Sequence, residues 1–411
     1  MILDLLGDRQ RRAIKAFITM PGGSCVYDGA VRSGKSVAAI IAFLSETQSP
    51  HQRHRAHIVA GRNLNVMKAE LLDTMEKVCR DFGADYQYRA TDGRLTIDKV
   101  RYYVLAGTDD AAYERLRSMT AGCVLAEEVT LMPQSFYNEL QTRMTFDDSK
   151  LIATCNPGGP NHWFLRDHIL GGRVEERWQF TLDDNPALGE KTKDRYANQF
   201  AGVFYQRNIE GIWAAAEGQI FDRWTMCDPV KPEECHYHVC GIDYGIASKT
   251  AFVLTAIRNS DDRRVVVDTL LLDGQGRAFT DAELLKRLMS FLMGKKCNVL
   301  YIDPSATSFI HACRESPRDW YVRNANNNVL DGIQTTMNAL ATGNTLICDT
   351  EGNRDLVNEF HGYIWDQKAA ERGIERPIKA DDHACDALRY VLHSLNRQGG
   401  AVIQDMPVGM F

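Results

Sequence analysis

The sequence predicts an α/β protein of two domains, and three observations lead to this. The chain of 411 residues is longer than most single domains. A glycine-rich loop near the N-terminus is followed by apolar runs that alternate with amphipathic stretches, a pattern that favours a mainly parallel sheet. From "HVCGIDYG" the order restarts with three consecutive strands and then helices, which favours a second, mixed sheet. The predicted segments are a first domain at 1–172, a connecting subdomain at 173–230, a second domain at 231–397 and a tail at 398–411.

The composition excludes some classes of protein. The net charge of −6 is not that of a basic chain, so any contact with nucleic acid must come from local patches. No apolar run has the length of a membrane span, and the first residues carry charges too early for a signal peptide. The 11 cysteines are odd in number and scattered, which suits reduced thiols in a cytosolic compartment. We therefore expect neither export nor a membrane partner.

The stretch "VYDGAVRSGKSVAAIIAF" is the first candidate site. It reads as a buried strand, a loop with the pattern Gly29-x4-Gly34-Lys35-Ser36, and a helix. Such a loop turns backbone N–H groups inward around phosphate oxygens at the positive end of the helix. Lys35 would reach the β and γ phosphates of a nucleotide and Ser36 would hold Mg²⁺. The alternative is an ordinary strand-to-helix turn.

Two acidic residues follow the later apolar run "CVLA". In an NTPase, Glu127 would organise the Mg²⁺ shell and Glu128 would activate the attacking water. The alternative is a pair of solvated carboxylates that begin a helix. Thr154 and Asn156, in "TCNPGG", are candidates for contacting that water or the γ-phosphate, although Asn-Pro and Gly-Gly also suit a plain turn. Arginines 115 and 117 are alternative sources of positive charge for the transition state.

Three aspartates mark a second candidate site. Asp243 and Asp303 each end an apolar run, and Asp386 lies in the helical stretch "DDHACDALRY". Together they would hold two divalent metal ions, Mg²⁺ or Mn²⁺, against a phosphodiester. His383 lies three residues before Asp386, on the same helix face, where it would protonate the leaving group or orient an acid. Asp382 is a weaker additional ligand, and a helix cap or an ion pair is the alternative for any single acid.

The whole set of motifs resembles the large terminase subunit of tailed double-stranded DNA bacteriophages. "GAVRSGKS", "VLAEEV" and "ATCNPGG" look like that family's Walker A, Walker B and coupling motifs, and "DDNPAL" and "GIW" like its connecting segment. "GIDYG", "YIDPSA" and "DDHACDALRY" resemble its RNase H-like nuclease motifs. The resemblance implies a P-loop ATPase domain with a mainly parallel sheet and an RNase H-like nuclease domain with a mixed sheet.

The resemblance also implies what the chain does and with what. It implies an ATP-driven motor that moves viral double-stranded DNA into a procapsid and a nuclease that cuts concatemeric DNA. Its partners would be a small terminase subunit, the portal protein and further copies in a ring, in the host cytoplasm and transiently at the procapsid portal. It suggests Gln10 near adenine and Arg117 as the arginine supplied to a ring neighbour. The nucleotide-contacting residues would be Gln10, Gly29, Arg32, Ser33, Gly34, Lys35, Ser36, Glu127, Thr154 and Asn156.

One residue differs from the pattern of that family, and two other functions are alternatives to a packaging motor. Glu127 stands where the family commonly has Asp, so the roles of Glu127 and Glu128 are less sharply divided. A P-loop helicase or repair ATPase with an appended nuclease would separate strands instead of moving a duplex. A nucleotide-switched assembly protein would use the C-terminal acids for structure alone.

Overall fold

The computed structural model describes residues 5–245, 249–273 and 279–398, so most of the predicted tail lies outside the described residues. Contacts between residues divide the chain into two compact units. The first unit is Met1–Ala215 with Ala370–Ile374, and the second is Ala216–Ala369 with Glu375–Phe411. The predicted connecting subdomain is therefore divided, with 173–215 in the first unit and 216–230 in the second.

An eight-stranded sheet forms the centre of the first unit. Its strands are β1 (Gly23–Gly29), β2 (Ala56–Gly61), β3 (Tyr86–Arg89), β4 (Arg94–Ile97), β5 (Val100–Ala106), β6 (Cys123–Ala126), β7 (Lys150–Cys155) and β8 (Glu176–Phe180). The spatial order is β3-β4-β5-β2-β6-β7-β1-β8. The pairs from β5 to β8 are parallel and the edge pairs β3-β4 and β4-β5 are antiparallel. The predicted mainly parallel sheet is confirmed.

Helices cover both faces of this sheet because successive strand residues point to opposite sides. Cys25 and Tyr27 of β1 pack in the cluster that contains the first two helices, and Val26 packs in the cluster on the other face. The helices are α1 (Asp8–Thr19), α2 (Lys35–Thr47), α3 (Leu64–Val66), α4 (Asp73–Phe82), α5 (Asp110–Arg117), α6 (Gln134–Thr142), α7 (Glu190–Ala197) and α8 (Gly202–Asn208). Two π-helical segments, Met67–Leu72 and Phe164–Ile169, add to them.

A seven-stranded mixed sheet forms the centre of the second unit. Its strands are β9 (Thr225–Cys227), β10 (Cys235–Asp243), β11 (Thr250–Arg258), β12 (Arg264–Leu272), β13 (Val299–Ile302), β14 (Tyr321–Asn324) and β15 (Thr345–Cys348), in the order β14-β13-β10-β11-β12-β15-β9. β10, β11 and β12 pair antiparallel, as the sequence predicts for three consecutive strands. β13 lies parallel to β10. The predicted mixed sheet is confirmed.

The last helix of the second unit lies directly on this sheet. The helices are α9 (Asp281–Phe291), α10 (Thr307–Arg314), α11 (Val329–Ala341), α12 (Glu351–Gly362), α13 (Gln367–Ala370) and α14 (His383–Gln398). A Cβ atom on Gly241 of β10 would stand 2.1 Å from the backbone oxygen of Ala387, so the glycine permits the close approach of α14. That approach brings the start of α14 beside the end of β10. Among the described helices, none combines the length and apolarity that a membrane crossing requires.

Candidate functional site

The phosphate-loop pattern folds as the sequence predicts. β1 ends at Gly29 and α2 begins at Lys35. Gly29 and Gly34 have φ angles of +135° and +82°, which L side chains rarely adopt. A Cβ atom on Gly29 would also stand 2.0 Å from the backbone oxygen of Phe180. Both glycines are therefore required by this backbone, and the loop opens at the N-terminus of α2, where an anion is favoured.

Lys35 and Asn156 meet because their strands are neighbours. β1 and β7 run parallel, so the residues that follow them lie at the same edge of the sheet. The Lys35 ammonium group donates to Asn156 Oδ1 at 2.6 Å and to the backbone oxygen of Ala30 at 2.9 Å. Burial lowers the pKa of Lys35, against the opposing charge of Glu127. A buried ammonium group held at this edge suits a phosphate ligand, which would supply additional negative charge.

Glu127 stands between two hydroxyl groups. Ser36 Oγ donates to one carboxylate oxygen and Thr154 Oγ1 to the other, each at 2.5 Å. Burial raises the pKa of Glu127, and these two hydrogen bonds lower it in part. A carboxylate beside a hydroxyl is a set of hard oxygen donors of the kind Mg²⁺ prefers, so these residues fit that ion. The longer side chain, compared with Asp, still reaches Ser36 directly.

Glu128 has a backbone conformation that is uncommon for a residue with a side chain. Its φ angle is 55°, in the left-handed region, and its N–H donates to Thr154 Oγ1 at 3.3 Å. Burial raises the pKa of Glu128, and the charge of Glu127 raises it further. A carboxylate with a raised pKa is a stronger base, so the environment of Glu128 suits activation of water.

Two amide side chains support the outer side of the loop. The buried Gln10 donates from Nε2 to the backbone oxygen of Ser33 at 3.2 Å. Asn185 Nδ2 donates to the backbone oxygen of Arg32 at 2.8 Å. The Ser33 hydroxyl donates to the backbone oxygen of Ala30 at 2.8 Å. The role of Gln10 near a base stays a prediction. Asn185 was not identified as a site residue, although "DDNPAL" contains the signal, an Asn-Pro turn after two acids.

The two candidate arginines of α5 have different surroundings. Arg115 is half-buried and donates from Nη1 to the backbone oxygen of Asp92 at 3.0 Å. Arg117 is exposed, and its guanidinium carbon lies 5.0 Å from the centre of the Tyr113 ring. Neither of these contacts involves a residue of the phosphate loop. Of the two side chains, that of Arg117 is the exposed one, and its role toward a ring neighbour stays a prediction.

The second candidate site forms at the ends of β10 and β13, which are parallel neighbours. His383 Nδ1 lies 2.8 Å from Asp243 Oδ2. The Tyr390 hydroxyl donates to Asp303 Oδ2 at 2.6 Å and lies 3.4 Å from Asp243 Oδ1. The fold therefore brings Asp243, Asp303 and His383 close together. Tyr390 was missed, although it lies seven residues after His383 and hence two helical turns along the same face.

The two aspartates have opposite pKa shifts. Burial raises the pKa of Asp243; the hydrogen bond with His383 opposes this shift, and the nearby charges of Asp386 and Asp303 add to it. Burial acts in the same direction on Asp303, but hydrogen bonds from Tyr390 and Ser305 outweigh it and lower the pKa of Asp303. The hydrogen bond to Asp243 raises the pKa of His383. The site thus holds carboxylates of unequal basicity beside an imidazole that favours its charged form.

Asp386 is engaged by cationic side chains. Arg389 Nη2 lies 3.1 Å from Asp386 Oδ1, and Lys379 Nζ donates to Asp386 Oδ2 at 3.0 Å. Lys379 also lies 3.1 Å from Asp382 Oδ2. Within residues 5–245, 249–273 and 279–398, no group of three His, Cys, Asp or Glu side chains is arranged to hold a metal ion. Asp243 and Asp303 are hard oxygen donors of the kind that divalent metals prefer, but metal binding stays a prediction for all three aspartates, and at Asp386 it requires displacement of Lys379.

Glu359 is a buried acid of this region that the sequence did not single out. Its Oε2 accepts the N–H groups of Ala384 at 2.7 Å and Cys385 at 3.1 Å, at the start of α14. Its Oε1 has no hydrogen-bond partner among the described residues. Burial raises the pKa of Glu359 from 4.5 to about 7. Glu359 therefore fixes the N-terminus of the helix that carries His383 and Asp386, with a charge that the fold disfavours.

We expect Glu359→Gln to make unfolding less sensitive to pH. Because the pKa is raised in the folded state, wild type loses stability as pH rises from about 4.5 to about 7. Glutamine keeps an acceptor oxygen but does not ionise. Its unfolding temperature should exceed that of wild type near pH 8, and the difference should shrink toward pH 5. Thermal unfolding across this range, with the exposed Glu371→Gln as control, measures the effect; a difference that is constant with pH would contradict it.

Comparison with known proteins finds similarity to large terminases of phages. No family model matches the chain. The large terminase subunit of Escherichia phage T5 is 25% identical over 283 residues, which are 63% of this chain and 61% of that protein, so less than two thirds of that relative is covered. The solved large terminase of a thermophilic bacteriophage has a TM-score of 0.85 and 28% identity, over 95% of this chain and 99% of that chain. The same thermophilic phage protein in complex with ATP-gamma-S has a TM-score of 0.83, with the same identity and coverage.

Proposed function

Since the resemblance of this chain to the large terminase subunits of phages is confirmed, we propose that it is the ATP-hydrolysing and DNA-cutting subunit of a viral packaging motor. One observation carries the proposal: a phosphate loop with its acids and a cluster of carboxylates at strand ends occur in two separate units of one chain. The first suits ATP hydrolysis and the second suits cutting of a phosphodiester. The two together suit translocation of double-stranded DNA into a procapsid and cutting of concatemers.

For ATP hydrolysis we assign a role to each side chain of the first site. The loop N–H groups at the start of α2 bind the phosphates, and Lys35 pairs with the γ-phosphate after it leaves Asn156. Ser36 and Glu127 would hold Mg²⁺, which supplies charge neutralisation of the phosphates. Glu128 accepts the proton of the attacking water. In support, the similar protein from the thermophilic phage has been solved with ADP and with ATP-gamma-S.

For DNA cutting we assign Asp243 and Asp303 as the residues that would hold Mg²⁺ or Mn²⁺, with Asp386 as a third ligand once Lys379 is displaced. The metal ions would supply activation of water and stabilisation of the leaving oxygen. His383 orients Asp243 through its Nδ1 atom and, because its pKa is raised, can supply a proton to the leaving oxygen. Tyr390 holds the two strand-end carboxylates in place.

The proposed partners are those that the resemblance to large terminases implies, and the proposed mode of DNA contact follows from charge. Besides ATP and DNA they are a small terminase subunit, a portal protein and further copies of this chain in a ring, to which Arg117 would contribute. The site of action is the host cytoplasm and the procapsid portal. DNA contacts would be to phosphate from local lysines and arginines, because translocation must not read sequence. Binding should therefore weaken steeply with salt.

The experiment that tests this function uses the purified full chain. We expect ATP hydrolysis that double-stranded DNA stimulates, and conversion of supercoiled plasmid to nicked and linear forms when Mn²⁺ or Mg²⁺ is titrated in. A protein that hydrolyses ATP but leaves plasmid intact at every metal concentration would favour the nucleotide-switched assembly protein. Displacement of a labelled strand from a partial duplex would favour the helicase, since a packaging motor moves the duplex without unwinding it.

A further inference from the structure

The segment Gly211–Trp213 lies against the beginning of the phosphate loop. Gly211 has a φ angle of +71°, and a Cβ atom there would stand 3.1 Å from Gly29 Cα and 3.2 Å from the backbone nitrogen of Ala30. Gln179 Nε2 donates to the backbone oxygen of Gly211 at 2.6 Å, which fixes the segment beside β8. Both the backbone angle and the lack of space require glycine. The segment and the loop therefore pack backbone to backbone.

A fully buried carboxylate joins Trp213 to the residue before the loop. Asp28, which precedes Gly29, has an exposure of 0%. It accepts two hydrogen bonds from Arg177 of β8, at 3.1 and 2.7 Å, and a third from Trp213 Nε1 at 2.9 Å. Arg177 already neutralises the charge, so the indole bond is not needed for that purpose. What it adds is a directional tie between the segment and the end of β1.

A second set of contacts links Trp213 to Asn156, the residue that holds Lys35. Asn156, which holds Lys35, accepts a hydrogen bond from Thr130 Oγ1 to its backbone oxygen at 3.2 Å. Thr130 lies two residues after Glu128, and its own backbone oxygen is 3.2 Å from His162 Nε2. The His162 ring centre is 6.0 Å from that of Trp213. Contacts from Asp28, directly before the loop, and from His162, which is linked to Asn156 through Thr130, thus meet at one indole ring.

We propose that Trp213 is a positioning residue that passes the nucleotide state of the phosphate loop to the connecting segment. The inference rests on the proposed function, because it requires that the loop bind ATP. When Lys35 leaves Asn156 for a phosphate, Asn156 and the loop change their contacts, and Trp213 is linked to both through the two sets of contacts. The second unit begins at Ala216, three residues later. A displacement of Trp213 would therefore occur close to the point in the sequence where the chain leaves the first unit.

The test is amide hydrogen exchange of peptides that cover residues 205–213, with and without saturating ATP-gamma-S. We expect the nucleotide to slow exchange in wild type, and Trp213→Phe to reduce this slowing about fivefold or more, since one hydrogen bond to a charged group is lost while the ring contact is kept. The matched control is Trp178→Phe in neighbouring β8, because Trp178 Nε1 has no hydrogen-bond partner among the described residues. It should behave as wild type.

Binding of labelled ATP-gamma-S and thermal unfolding are measured on the same samples. Binding to Trp213→Phe should stay within about threefold of wild type, because the indole contacts Asp28 and His162 and not the loop groups assigned to phosphate.

Equal slowing of exchange in wild type and Trp213→Phe would overturn the inference, as would wild type that binds nucleotide without any change in exchange at 205–213. Wild type that binds no nucleotide would instead overturn the proposed function. If Trp213→Phe does not fold, Thr130→Val, which removes the hydrogen bond to the backbone oxygen of Asn156 at little change of volume, takes its place with the same expected outcomes.

Discussion

Replacing Lys35 by alanine is expected to reduce ATP hydrolysis by about 100-fold or more while DNA cutting stays within about twofold of wild type. The loop holds this ammonium group in place before nucleotide binds, and a preorganised donor of this kind acts mainly on the charge that develops in the transition state. Its contacts with Ala30 and Asn156 lie in the first unit, whereas Asp243 and Asp303 lie in the second. Phosphate release and plasmid cleavage, measured on one preparation, check both halves of the prediction.

Loss of folding is the alternative explanation that this experiment must exclude. Burial lowers the pKa of Lys35 and so disfavours its charged form, but the substitution also removes two hydrogen bonds, so thermal unfolding of the variant is measured beside wild type. Lys15→Ala, at an exposed position of α1, is the matched control and should keep both activities. Equal loss of ATP hydrolysis and DNA cutting in folded Lys35→Ala would contradict two independent sites.

Asp243→Asn is expected to have the converse effect, with DNA cutting reduced about 1000-fold and ATP hydrolysis retained. Asparagine keeps the volume and can bond to His383, but it removes one of the two strand-end carboxylates proposed to hold metal. Because burial and two neighbouring aspartates raise the pKa of Asp243, the folded state should gain stability near pH 7 when this charge is removed. Plasmid cleavage, Mn²⁺ binding by calorimetry and thermal unfolding measure these three outcomes.

The control for this variant is Asp261→Asn, in the same unit. Asp261 pairs with Arg258 at 2.6 Å, and that contact lies apart from the strand ends that carry the site. It should cut plasmid and bind Mn²⁺ as wild type does. If Asp243→Asn cuts at the wild-type rate, or if it binds Mn²⁺ as tightly as wild type, the assignment of this cluster as a nuclease centre is wrong.

The sequence alone is most informative where function is built from neighbouring residues. The loop from Gly29 to Ser36 needs only a strand, two glycines with positive φ and a helix, and all of these are written within one stretch. The alternation of strands and helices likewise predicts which sheet is parallel and which is mixed. Asp243 and Asp303 could be identified because an acid at the end of an apolar run is unusual without a ligand.

Residues whose role depends on partners far away in the sequence were not predicted. Tyr390, Asn185 and Trp213 lie within quoted motifs and Glu359 lies in none, but the role of each depends on what it contacts: two aspartates, the phosphate loop, the buried Asp28 and the start of α14, respectively. The ion pairs of Asp386 with Lys379 and Arg389 were also unforeseen. They make metal binding at this residue conditional on moving a lysine.

The sequence by itself therefore determined which chemical groups are available, namely a phosphate loop and acids at strand ends, and it determined the order of strands and helices along the chain. What only the tertiary structure decided is which of these groups meet. Lys35 reaches Asn156 across 121 positions because β1 lies beside β7, and His383 reaches Asp243 across 140 because α14 packs on β10. Local patterns depend on backbone geometry over a few residues, whereas contacts between residues distant in sequence depend on strand order and on how closely helices pack on sheets.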